Sequence, residues 1–290
     1  TFKAFTVAMA LDSGVVGLTD GYDASQPIAI SRYRITDFHP QNRWLSVPEI
    51  ILYSSNIGAA KMALDVGAER QQDYLRRFGL LTPAAIELSE VGAPMAPATW
   101  RDINTMTIGF GHGIAVSPLQ LASGIAALVN GGIVRPATLL KRDDDEPVEG
   151  TRVIRAQVSD HMRALLRLVV QGGTGKNAEA PGYLVGGKTG TAEKVTLGGY
   201  DRKALLSTFV GAFPMTEPRY VVLVSIDEPH GNANTFGYAT AGWTAAPSVS
   251  RIISQIAPLL RIAPVERPGA PGSEDFIVVL EEGRIKLAAF

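Results

Sequence analysis

The 290-residue chain is 46% hydrophobic and 19% charged, and its 27 Lys+Arg against 28 Asp+Glu leave a formal net charge of -1. It is long enough to bury a core in one or two domains, and its charge balance excludes a polybasic nucleic-acid or membrane-surface protein and an acidic disordered tail as the main theme. It has no cysteine, hence no disulfide framework, no thiolate nucleophile and no cysteine-based zinc or iron–sulfur site.

No stretch reaches the ~18–20 consecutive apolar residues of a membrane span, and no signal peptide opens the chain. It begins at Thr1, without Met, inside an apolar run, and reads as one piece of a longer chain. Residues 1–13 carry Lys3 as the only charge among the first eleven and predict a helix buried all round, stopped at Gly14. Residues 15–45 read as loop with small strands. Ser46-Val47-Pro48-Glu49 is a capping box with an early proline. It predicts a short helix over 47–53 that runs into Ser54-Ser55-Asn56. Helices over 57–66 and 69–78 follow, ending at Gly67 and Gly79. Residues 80–113 read as loop, closing on Gly109-Phe110-Gly111-His112-Gly113. Ser117-Pro118 predicts a helix to Val129. A short strand over 133–141 and a solvated turn over 142–149, holding the acidic run Asp143–Glu146, come next. Ser159-Asp160 is read as the cap of a helix over 160–171. Strands are predicted over 182–190, 204–213 and 219–227, paired consecutively and antiparallel because the breaks are short. A helix over 245–262, a linker over 263–275 and a strand-like block at Phe276–Leu280 complete the chain. The pattern is α+β, with helices packed on an antiparallel sheet.

Three short segments could carry chemistry. Lys3, in a buried helix, is desolvated unless paired, which lowers its proton affinity and suits a general base; the plainer reading is a lysine that snorkels out of a helix end. Ser54-Ser55-Asn56 sets a hydroxyl and an amide two residues apart at a helix junction, as a proton relay or simply as an N-cap. Gly186-Gly187-Lys188-Thr189-Gly190-Thr191 combines a cation, two hydroxyls and glycines on a strand, which suits close approach of an anionic substrate; a glycine-rich turn with a solvated lysine is the alternative.

A sharper competitor is the phosphate-loop pattern GxxxxGK[ST], met by Gly182 through Thr189. Its context is wrong: no apolar strand precedes Gly182, and Gly190 stands where a helix should open. His39, His112, His161 and His230 show no paired metal-ligand spacing, and no GxSxG elbow supports a Ser-His-Asp triad. No metal and no cofactor is therefore called for.

Taken in order, the segments read (x)TFK, SSN and KTGT. This resembles the SxxK, SxN, KTG set of serine acyl-transferases. The flanks TFKAFTVAMAL, YSSNIGAAKMA, GFGHGIAVSPLQLA and GGKTGTAEK resemble the transpeptidase domain of class B penicillin-binding proteins, particularly the division-type septal enzymes. The resemblance covers roughly residues 1–260.

It implies the penicillin-binding fold and a D,D-transpeptidase that cross-links peptidoglycan stem peptides ending in D-Ala-D-Ala, through a serine acyl-enzyme that β-lactams trap. Carried over residue by residue, Lys3 is the base, Ser54 relays a proton, and Asn56 holds Lys3 and binds the substrate backbone. Lys188 supplies positive potential, Thr189 and Thr191 grip the terminal carboxylate, the Thr191 N–H forms half of an oxyanion hole, and Gly190 leaves room along the strand edge. The nucleophilic serine is expected immediately before Thr1, and the family's first strands upstream of it, so this stretch alone is expected to be inactive. No class A-type deacylating glutamate stands out, since the surroundings of Glu87 and Glu90 do not match one. The resemblance also implies a place on the periplasmic face of the inner membrane, an N-terminal anchor outside this chain, and division or cell-wall partners of the full-length protein. Residues 1–266 are read as the domain and 267–290 as linker and tail. A serine-less scaffold that binds peptidoglycan and, more distantly, a phosphate-loop nucleotidase are the competing readings.

Overall fold

The computed structural model describes residues 1–30, 33–143, 148–196, 199–265, 278–281 and 284–287. Most of the acidic run, most of the predicted linker and Phe276-Ile277 lie outside them. The chain divides into a helical unit, Phe2–Ile50 with Ser55–Met162, and a sheet unit, Thr1 with Ile51–Ser54 and Arg163–Phe290.

The helical unit opens with α1 (Lys3–Ser13), whose residues Lys3 to Leu11 are all buried. Gly14 ends it in the left-handed region at φ 75°, its N–H donating to the Ala10 and Leu11 carbonyls. The short strands β1 (Gly21–Asp23), β2 (Ile28–Ile30), β3 (Tyr33–Ile35) and β4 (Trp44–Ser46) form two antiparallel pairs, β1 with β4 and β2 with β3. The capping box opens α2 (Val47–Leu52) as the sequence indicates: the Ser46 N–H donates to the Glu49 carboxylate at 2.9 Å, and the Glu49 N–H to Ser46 Oγ at 3.4 Å. The helices α3 (Asn56–Val66), α4 (Ala68–Arg77), α5 (Asp102–Gly109) and α6 (Pro118–Val129) follow, then the two-residue pair β5 (Ile133–Val134) and β6 (Thr151–Arg152), and α7 (Ala156–Gly172), which from Arg163 on is counted with the sheet unit. Around α1 the core is tight. Phe5 packs edge-on against Phe78 with ring centroids 5.3 Å apart, and a Cβ on Gly124 would stand 2.8 Å from the Phe5 ring.

Three expectations are corrected here. The loop read over 80–113 contains α5, which Thr, Asn and Gly disguise by propensity. Packing on α3 forms it instead: a Cβ on Gly109 would sit 2.7 Å from the Ala63 Cβ. The strand over 133–141 shrinks to two paired residues. Ser159 is no cap: α7 starts at Ala156, and the buried Ser159 hydroxyl donates to the Leu128 carbonyl at 2.8 Å and accepts from the Gly131 N–H at 2.9 Å. It ties α7 to the end of α6.

In the sheet unit β7 (Gly186–Thr196), β8 (Gly199–Phe213) and β9 (Tyr220–Asp227) form an antiparallel sheet in the order β7–β8–β9. Helix α8 (Ala245–Leu259) packs on it through Val249 and Ile253, in one core with Val185, Phe209 and Phe213. This bears out the consecutive antiparallel pairing and the α+β class. The first strand starts later than expected. Residues 182–185 turn, with Gly182 at φ 86° and Leu184 at φ 41°, and β7 runs on to Thr196. A separate hairpin pairs β10 (Val278–Glu281) with β11 (Arg284–Leu287). Among the described residues no helix is long and apolar enough to cross a membrane.

Candidate active site

The KTG segment lies inside β7, opposite residues 208–210 of β8. Lys188 is fully buried. Its Nζ donates to Ser54 Oγ at 2.9 Å, to Thr189 Oγ1 at 3.2 Å and to the Thr189 carbonyl at 3.4 Å. A lysine amine that donates to Ser54 leaves the serine's own proton for another acceptor. Ser54 follows α2 and is held at φ 58°, a region that a non-glycine residue enters rarely and at a cost of order 1–3 kcal/mol. Thr189 Oγ1 and Thr174 Oγ1 share a hydrogen bond at 2.8 Å. Thr191 Oγ1 accepts from the Ala241 N–H at 3.0 Å, so its own O–H remains a donor.

The nitrogen of Thr1 donates to the Thr189 carbonyl at 3.2 Å. That carbonyl therefore points away from the ladder with β8, and by the two-residue period of a strand the Thr191 N–H points to the same edge. Gly190 is required where it stands. A Cβ there would lie 2.9 Å from the Thr1 nitrogen and 3.0 Å from Thr1 Cγ2.

In the helical unit Lys3 is the first residue of α1 and 7% exposed. Burial lowers its pKa from 10.5 to about 8, and the nearby charge of Asp37 partly opposes that fall. Ser55 is the N-cap of α3 and accepts from the Gly58 N–H at 3.0 Å. The Asn56 amide donates to the Thr36 carbonyl at 2.8 Å. Ser54 and Lys188 thus belong to the sheet unit with Thr189, Gly190 and Thr191, while Lys3 and Asn56 belong to the helical unit. Thr1 and Ser54 are each only two residues along the chain from Lys3 and Asn56 respectively.

The phosphate-loop reading finds no footing, because Lys188 and Thr189 lie mid-strand and no helix opens there. Among the described residues no cluster of His, Asp or Glu could hold a metal ion. Two residues bonded to motif residues, Asp37 to Ser55 and Thr174 to Thr189, escaped sequence reasoning. Asp37 and Thr174 sit in segments without a motif, and the polar company they keep is set by tertiary contacts alone.

The chain belongs to the penicillin binding protein transpeptidase domain family, which matches residues 1–253. Over 271 residues it is 42% identical to the probable peptidoglycan D,D-transpeptidase FtsI of Caulobacter vibrioides, covering 90% of this chain and 46% of that protein. It is 31% identical over 278 residues to the stage V sporulation protein D of Bacillus subtilis, covering 91% of this chain and 42% of that one. The chain therefore spans less than half the length of these curated relatives. Among solved structures it is similar to the transpeptidase domain of penicillin-binding protein 3 from Burkholderia pseudomallei, at TM-score 0.84 and 34% identity, covering 92% of this chain and 80% of that one. It is also similar to penicillin-binding protein 3 of Mycobacterium tuberculosis complexed with ampicillin, at TM-score 0.81 and 25% identity, covering 93% and 64%.

Proposed function

We propose that this chain is the greater part of the transpeptidase domain of a peptidoglycan D,D-transpeptidase, and that Lys3, Ser54, Asn56, Lys188, Thr189, Gly190 and Thr191 act on one substrate. A serine directly ahead of Thr1 in the full-length protein attacks the penultimate D-Ala carbonyl of a stem peptide. Its proton passes to Lys3, whose proton affinity is already lowered for the task. Ser54 relays a proton to the departing D-Ala amine, and the C–N bond breaks to leave the acyl-enzyme. The amine of a second stem peptide then attacks that ester, releases the serine and forms the cross-link. Asn56 binds the donor backbone, Thr189 and Thr191 hold its terminal carboxylate, and the Thr191 N–H stabilises the oxyanion. One such donor is worth roughly 10²–10³ in turnover.

The observation that carries this reading is the buried amine of Lys188 bonded to a hydroxyl held in a strained turn, Ser54 at φ 58°. Sites store backbone strain of this kind where function needs the geometry. Residues 1–266 constitute the domain and 267–290 a distinct tail. The full-length protein works on the periplasmic face of the inner membrane, attached through a segment outside this chain, among other cell-wall synthesis proteins.

The test is covalent labelling. A fluorescent penicillin should acylate the full-length protein on that serine, Lys3→Ala should abolish the label, and the 290-residue chain alone should take none. Labelling that persists in Lys3→Ala removes Lys3 as the base. A residue other than serine before Thr1, with peptidoglycan binding but no adduct, makes the protein a scaffold.

A further inference from the structure

Asp37 belongs to none of the three motifs, yet it holds one of them in shape. It lies between β3 and β4 and is 8% exposed. Its Oδ2 accepts from the Ser55 hydroxyl at 2.7 Å, and its Oδ1 accepts from the N–H groups of Asn56 at 2.5 Å and Ile57 at 3.0 Å. These are the leading N–H groups of α3. They have no acceptor within the helix and sit at the positive end of its dipole. The adjoining Thr36 carbonyl takes the Asn56 side-chain amide. One short segment thus fixes both the backbone and a side chain of the Ser-Ser-Asn turn.

We propose that Asp37 is a positioning residue of the acylation reaction: it fixes the Ser-Ser-Asn turn through Ser55 and Asn56. This rests on the transpeptidase reading above.

The test is the rate of penicillin acylation in the full-length protein, beside amide hydrogen exchange at Asn56 and Ile57. Asp37→Ala removes the acceptor shared by Ser55, Asn56 and Ile57; it should lower the acylation rate severalfold and speed exchange of the two N–H groups. Asp37→Asn keeps an oxygen acceptor for those N–H groups and should recover most of the rate. Ser55→Ala should also slow acylation severalfold. An Asp37→Ala rate equal to the wild type overturns the positioning role, and so does an Asp37→Asn rate no better than that of Asp37→Ala. Should Asp37→Ala not fold, a Ser55→Ala rate equal to the wild type overturns it. A wild-type protein that takes no label sinks the transpeptidase reading instead, and the exchange of Asn56 and Ile57 still decides whether Asp37 holds the turn.

Discussion

Lys3 and Lys188 are two buried amines. At Lys3 burial outweighs the help of Asp37 and brings the pKa to about 8. The reactive neutral form therefore accumulates as pH rises, and acylation should climb from pH 6 and level off above about 8. The same displacement, from 10.5 to about 8, has a stability cost. Between those values the unfolded chain binds more protons than the folded one, so stability rises with pH across that window and is at its lowest below it. Lys3→Met should thus stabilise the protein at pH 7 by up to ~3 kcal/mol, with the gain fading toward pH 10.5, as denaturant midpoints at several pH values would reveal. It should do so while abolishing acylation. Lys188 instead bonds to Ser54 and Thr189. Lys188→Ala leaves Ser54 Oγ without that donor and should slow acylation by roughly 10²–10³, the loss typical of a removed donor at a reacting site. Stopped-flow labelling separates this from loss of fold, which circular dichroism would register.

At the scale of elements, close approach decides which glycines matter. Gly190 lies where β7 meets the start of the chain, and the atom opposing a new Cβ is the Thr1 backbone nitrogen, which cannot swing aside. Gly190→Ala should therefore depress acylation far more than thermal stability. Gly58 is the converse case. A Cβ there would meet Ile50 Cγ1 at 2.6 Å and Cδ1 at 2.7 Å, between α3 and α2. That is core overpacking, and Gly58→Ala should lower stability by about 1–3 kcal/mol, measurable by urea titration. Elements with strong local signals were legible from sequence. α1 was visible through its unbroken apolar run and Gly14, α6 through Ser117-Pro118, and β8 and β9 through their short breaks. α5 was not, since its residues favour a helix only when α3 is there to receive them. Ser159 looked like a cap because its residue type is a cap's, whereas its partners Leu128 and Gly131 are distant in the chain.

Across the whole molecule, motif order and residue type were enough to nominate candidate residues. Lys3, Ser54-Ser55-Asn56 and Lys188-Thr189-Gly190-Thr191 are chemically unusual where they occur, and helical and strand periodicities placed them on the right kinds of element. Residues 1–13 alone left Lys3 either a desolvated amine or one that snorkels out of the helix end, and its burial in the fold decides for the first. Folding alone settled the partners. That Lys188 donates to Ser54, that Ser54 bears a left-handed backbone, and that Asp37 gathers Ser55, Asn56 and Ile57 depend on segments separated by many residues. Their relative placement comes from packing and hydrogen bonding summed over each unit, and no local pattern encodes it.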